Sequence, residues 1–496
     1  MRRAAVACLA SALLLESAAV HAQANYRSAP TGGRSALMGG TGIALARDGA
    51  APFLNPATIV RIDDSGVAFS VNFYTIQTTR LTGFHQPGPV DASRYGALSL
   101  PDTSLDNSRL DALPSTLCLF LTIGNWGDNA PIEAEAHPHR KGHRKLAACL
   151  GSLERQAFGA TAESYSGDSA GLHASQAQSI ERSWNRIYVG PSYSVYASDD
   201  VAIGVSLHGI GTTMTSNWNV DTVVHDAATS ASASSYGTSA SAYSIDLGAV
   251  LGVMWHIDHY QTLGLSLSTP TVHMLGQYHG TASIQTLGAG SSAILATSSG
   301  NFEAPPPMRI GVGLGMEKGR MRVEGDVSAY VPVTALSQAD LGIDQTTVGP
   351  GKTTVQSGVT TLGVTGRPIV DAAFGLEWFT SPGFSLLGGV STDLSAMDPL
   401  PTKPSIGTLA ETRMQRVATS LGIGSYGDGS ELLLGTELSY AWGKSIAWDP
   451  FAQQPQLALV DQRTFTAMLV VAGGMSLSAF RRTLKDLGGV VRLPGK

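Results

Sequence analysis

The sequence predicts an all-β protein: an antiparallel transmembrane β-barrel of fourteen strands. Three observations predict it. Charged residues make up only 14% of the 496, against ~25% in ordinary globular chains, and glycine is over-represented at 57. No run of the ~20 apolar residues that a membrane-spanning helix needs accompanies this low charge. From about residue 66 onward, apolar side chains recur at every second position, and tight turns alternate with long connections. The 38 acidic and 32 basic residues give a formal net charge of -6, so there is no basic footprint for nucleic acid.

At the N-terminus, Arg2 and Arg3 precede the apolar stretch 4–15, and small residues lead to Ala22-Gln23-Ala24. That order is a secretory signal peptide over 1–24. Export removes Cys8 and leaves Cys118 and Cys149 in an oxidising compartment, as one disulfide or as two unpaired buried thiols.

Strands are expected near 66–79, 113–124, 145–165, 184–197, 200–213, 243–256, 260–269, 308–317, 320–332, 370–380, 383–392, 413–425, 431–443 and 464–480. Ile310, Val312 and Leu314 alternate with Arg309, Gly311, Gly313 and Gly315; Met321, Val323 and Val327 alternate with Arg322, Glu324, Asp326 and Ser328. Alternation alone fits a soluble sandwich as well as a barrel. The connections separate them. Turns at Ser198-Asp199, Ile257 to His259, Lys318-Gly319, Ser381-Pro382 and Tyr426 to Ser430 each follow an even-numbered strand, and long segments follow the odd ones. Outer-membrane barrels have this rhythm, with short periplasmic turns and long extracellular loops. The Ser/Thr/Ala/Gly-rich stretches 220–242 and 276–300 read as such loops. The connection 125–144 breaks the rhythm and carries the basic run with His137, His139 and His143, read as a solvated loop.

Ahead of the first strand stand Gly39-Gly40-Thr41-Gly42-Ile43-Ala44-Leu45-Ala46-Arg47-Asp48 and then Ala51-Pro52-Phe53-Leu54-Asn55-Pro56-Ala57. This segment resembles the N-terminal plug of the FadL-type outer-membrane transporters of long-chain fatty acids and aromatic hydrocarbons. The segments 188–193, 263–270 and 374–378 resemble strand signatures of the same family, so the resemblance spans about 25–480. It implies a fourteen-stranded barrel over 66–480, plugged by residues 25–65, with an inward strand kink and a lateral opening. A periplasmic tail, 481–496, follows Phe480, where the family's barrels commonly end.

Phe53, Leu54, Asn55, Pro56 and Ala57 are the expected plug and gating residues. Proline fixes φ and lacks an N–H, and asparagine makes local hydrogen bonds, so Asn55-Pro56-Ala57 is expected to form a rigid turn rather than a helix. Charges facing lipid would cost about 2–4 kcal/mol each at the midplane, so Arg309, Arg322, Glu324 and Asp326 should face the lumen, lining it or anchoring the plug. A mutual ion-pair network is their simplest arrangement; an inward arginine is also able to hold a ligand carboxylate. If the alternation holds, Cys118 and Cys149 face inward at similar heights on neighbouring strands, which permits a disulfide.

No G-x-S-x-G, P-loop or H-E-x-x-H motif is present, and His256, Asp258 and His259 share one short turn, which reads as solvated rather than metal-binding. The expectation is a monomeric, cofactor-free barrel in the outer membrane of a Gram-negative bacterium, with no enzymatic activity and no metal. Its partners are a hydrophobic small-molecule ligand, outer-membrane lipids and, during biogenesis, the barrel-assembly machinery. The expected function is passive uptake of hydrophobic molecules. The alternative is a structural or adhesive barrel that conducts nothing.

Overall fold

The computed structural model describes residues 25–62, 65–83, 107–109, 113–123, 143–167, 172–226, 232–287, 291–332, 335–402, 412–449 and 456–479. The signal peptide 1–24, His137, His139 and the tail 481–496 lie outside the described residues.

Residues 25–62 precede the barrel and sit inside it. They hold two four-residue helices, Arg34–Leu37 and Ala51–Leu54, and one six-residue 3-10 helix, Pro56–Arg61. Nineteen strand segments follow: β1 (Gly66–Thr82), β2 (Asn107–Arg109), β3 (Leu113–Thr122), β4 (Arg144–Gly167), β5 (Leu172–Tyr196), β6 (Val201–Asp226), β7 (Ser232–His256), β8 (Gln261–Ser268), β9 (Val272–Leu287), β10 (Ser292–Glu303), β11 (Met308–Lys318), β12 (Met321–Val331), β13 (Ser337–Gly349), β14 (Lys352–Val364), β15 (Ile369–Ser381), β16 (Phe384–Asp393), β17 (Thr412–Gly427), β18 (Ser430–Asp449) and β19 (Gln456–Ser476). Five successive pairs are two halves of one strand: β2 with β3, β8 with β9, β10 with β11, β12 with β13 and β14 with β15. Each pair runs along shared neighbours, as where β7 pairs with β9 through its first part and with β8 through its end. The nineteen segments therefore make fourteen antiparallel barrel strands, and pairing of β1 with β19 closes the ring.

The alternation places side chains as the sequence predicts. In β11, Ile310, Val312 and Leu314 are exposed on the outer wall, while Arg309 is buried inside. Outward-facing Trp255, Tyr260, Trp378 and Phe384 cluster near the tight turns. Tyr243, Tyr440 and Trp442 stand about a dozen residues further along their strands, so aromatic residues flank an apolar band of the ~25 Å height that outer-membrane barrels show.

Two expectations about connections are corrected. The stretches 220–242 and 276–300 are largely strand: β6 pairs with β7 and β9 with β10 through most of their length. Beyond the apolar band the outer face is wet, so small polar residues keep the backbone ladder, with only scattered inward apolar residues such as Trp218, Tyr278 and Phe302 to signal it. Four adjacent barrel strands are also interrupted at one level, at 269–271, 304–307, 332 with 335–336, and 365–368. Pro270, Pro305, Pro306, Pro307, Pro332 and Pro368 lie in these breaks, where a residue without an N–H cannot extend the ladder.

The lumen beyond the plug is crossed by apolar side chains from several walls. Trp184, Met214, Tyr278, Phe302 and Leu341 form one buried layer, and Leu81, Ile180, Trp218 and Val460 form a second.

Val312, 44% exposed on the apolar band, and Val359, 87% exposed beyond it, separate lipid from water. Val312→Arg is expected to cost about 2–4 kcal/mol, and Val359→Arg less than about 0.5 kcal/mol, measured by urea unfolding from lipid vesicles.

Candidate functional site

The plug has little regular structure, so its peptide groups need partners on the barrel wall. Asp326 accepts the Gly42 and Ile43 N–H groups at 2.8 and 3.1 Å, and Glu324 accepts those of Ala44 and Leu45 at 2.6 and 3.0 Å. Arg309 Nη2 donates to the carbonyls of Phe53 and Leu54, both at 2.8 Å, which are free at the end of helix Ala51–Leu54. Ser206 donates to the Pro52 carbonyl and Ser194 to that of Ala57.

These contacts replace the mutual ion-pair network expected for the four lumen charges. Arg309, Glu324 and Asp326 bond to plug backbone, because that backbone lies within reach and has no partner of its own. Arg322 stands apart: it pairs with Glu317 at 2.8 Å and Glu377 at 3.2 Å.

Asn55 is fully buried and uses its whole amide. Its Nδ2 donates to the Ile43 carbonyl inside the plug at 2.6 Å and to the Val253 carbonyl on β7 at 3.0 Å; its Oδ1 accepts the Ala57 N–H at 3.1 Å. Asn55-Pro56-Ala57 is not the non-helical turn expected. Asn55 is the N-cap of the 3-10 helix Pro56–Arg61, and Pro56 sits at its first position, where the missing N–H has no intrahelical acceptor to lose. The wall makes room by having no side chains there. A Cβ on Gly204 would overlap the backbone of 56–57, one on Gly252 the Asn55 side-chain oxygen and the Ala57 nitrogen, and one on Gly264 the Ile43 carbonyl.

Phe53 faces away from this anchor. Its ring stacks on His208 at 5.1 Å and meets Tyr188 edge-on at 6.3 Å. These three, with Tyr26, Arg309 and Tyr330, line a partly open pocket of about 70 Å³, narrow while the Phe53 ring occupies its floor. Thr269, Thr271, Pro306 and Pro307 complete the lining, so the pocket abuts the interrupted part of the wall; a second pocket, lined by Pro270, Pro305, Pro332 and Leu336, continues along the break. Leu54 lies beside Phe53 at the end of the same helix. Cys118 and Cys149, a register pair on β3 and β4 with Cα atoms 4.2 Å apart, are joined by a disulfide inside the apolar cluster that holds Phe53 and Ile59.

Several plug contacts were not legible in the sequence. Asp393 accepts the Tyr26 and Arg27 N–H groups, Asn25 donates to the Asp393 and Met414 carbonyls, and Ser420 bonds both Leu37 and Gly39. The ion pair of Glu154 with Arg186 is buried beside the pocket. Asp258 of the His256–His259 turn accepts the Tyr260 and Gln261 N–H groups at 2.7 Å, closing that turn.

No family model matches this sequence, and no curated protein matches it. Solved structures do. A Pseudomonas aeruginosa FadL homologue superposes with a TM-score of 0.54 at 14% identity, over 91% of this chain and 100% of that one. The chain has the FadL/TodX fold. The Pseudomonas putida toluene transporter TodX matches with a TM-score of 0.54 at 15% identity, over 91% of this chain and 99% of that one. The CymD monoaromatic hydrocarbon channel matches with a TM-score of 0.51 at 14% identity, over 90% and 97%. At these identities what the chain shares with them is the outer-membrane β-barrel fold.

Glu324→Ala would leave two buried amides unpaired, at about 1–3 kcal/mol each. Since proteolysis follows the open population, tryptic cleavage after Arg47 is expected to be at least about tenfold faster than in the wild type, a factor worth about 1.4 kcal/mol.

Proposed function

We propose that this protein is a passive outer-membrane channel for hydrophobic small molecules, with the segment 25–65 as its gate. The observation that carries the reading is the pocket between Phe53 of the plug and the interrupted wall. One plug residue forms both the floor of the pocket and the end of a helix anchored by Arg309, so a ligand that displaces the Phe53 ring works directly on the anchor. The ligand parts the apolar layers of the upper lumen, settles among Phe53, Tyr188 and His208, and leaves sideways between the proline-lined breaks into the bilayer. The membrane-spanning wall needs a continuous ladder elsewhere, because unpaired backbone is tolerated only where it lines a cavity.

The ring-lined walls suit an aromatic hydrocarbon, which offset-stacked and edge-on contacts hold well. A long-chain fatty acid is the second reading, supported by Arg309, whose charge stands at the pocket wall and suits a carboxylate. Toluene transport by TodX and monoaromatic conduction by CymD agree with the first. Phe53, Leu54, Asn55, Pro56 and Ala57 are the moving part. Arg309, Glu324 and Asp326 are the latch, and no cofactor enters.

Uptake of labelled toluene and hexadecanoate by cells carrying the chain in their outer membrane tests the reading. Expression should raise uptake of one of them several-fold over cells without it. Asn55→Ala, which severs the plug from Val253, should speed uptake further; unchanged uptake of every compound by this variant would remove the gating role.

A further inference from the structure

The end of the barrel with the tight turns has a further cavity that the transport reading does not use. It is an open cavity of about 420 Å³, and among the described residues the charged ones lining it are four arginines, Arg34, Arg47, Arg61 and Arg322, and one carboxylate, Glu431. Glu317 and Glu377 lie outside the lining. Glu317 alone is shared by Arg47, Arg61 and Arg322, and Glu377 by Arg34 and Arg322. Arg34 also pairs with Glu431, so among the described residues four guanidinium groups meet three carboxylates and one positive charge is left over. The Arg61 side chain is 5% exposed, yet among the described residues its Nε and Nη1 have no hydrogen-bond partner, and neither has Nε of Arg47. Buried charged donors without acceptors are costly and rare in native proteins. Burial, and next the charge of Arg61, push the Arg47 guanidinium down to about 9, far below the usual arginine range.

We propose that this mouth, periplasmic by the barrel rule, is an oxyanion-binding site in which a phosphate or carboxylate group takes the free donors of Arg61 and Arg47. Planar guanidinium groups grip such oxygens in pairs. The group competes with Glu317 for Arg47 and Arg61 and neutralises the excess charge between plug and wall. Two sources offer it: a free anion in the periplasm, or the headgroup of an anionic phospholipid in the inner leaflet.

The test is calorimetric titration of the full mature chain, held in amphipol, with inorganic phosphate at constant ionic strength. Wild type should bind saturably, Arg61→Gln at least tenfold more weakly, and Glu317→Gln severalfold more tightly, because the competing carboxylate is gone. Glu317→Gln keeps every arginine, so the test stands even if Arg61→Gln does not fold. Displacement of phosphate by phosphatidylglycerol identifies a headgroup site, and its failure to displace identifies a free-anion site. Absence of saturable phosphate binding to both wild type and Glu317→Gln, or equal affinity in all three proteins, overturns the proposal.

Discussion

The rest of the structure depends on an irregular backbone placed inside a closed barrel. Residues 25–62 contain only three short helical turns, so many of their N–H and C=O groups lie outside any regular ladder and need side-chain or wall partners. Each buried peptide group left unpaired would cost about 1–3 kcal/mol. The wall therefore has to carry acceptors and donors at matching heights, and Asp326, Glu324, Arg309, Asp393, Ser206 and Ser420 are those groups. The same need explains why charges that would be prohibitive toward lipid are kept on the inward face.

Satisfying that backbone requires close approach, and this sets the glycine content. Gly204, Gly252 and Gly264 are flat patches against which the Asn55–Ala57 segment and the Ile43 carbonyl rest. Low charge follows from the other face, where Ile310, Val312, Leu314 and their neighbours meet lipid. Latch and pocket are then mechanically one object. Arg309 holds the carbonyl of Phe53, and the Phe53 ring is the wall of the pocket. What enters the pocket acts on the latch through a single residue.

The barrel was legible because lipid and lumen impose opposite polarities on alternate residues, and β11 and β12 show the pattern without exception at Arg309, Glu324 and Asp326. The strand count was legible because turns and long connections alternate. The partners of those charges were not, since Asp326 and Gly42 are separated by most of the chain and no local spacing records their meeting. The long upper hairpins were also missed. Along β9 and β10 the outer face is largely polar, and inward Tyr278, Ile294 and Phe302 are too widely spaced to mark an alternation, so the ladder is held by backbone bonds. Pro305-Pro306-Pro307 interrupts one strand, and only pairing shows that three other strands break at the same level.

The most direct test of the account is amide hydrogen exchange at Gly42 to Leu45, with and without saturating toluene, against amides of β11 as an internal reference. A plug latched by Glu324 and Asp326 and moved through Phe53 predicts slow exchange in the empty barrel. It predicts exchange at least about tenfold faster with toluene, and no change in β11. Equal or slower exchange at these four amides when toluene is bound would contradict it.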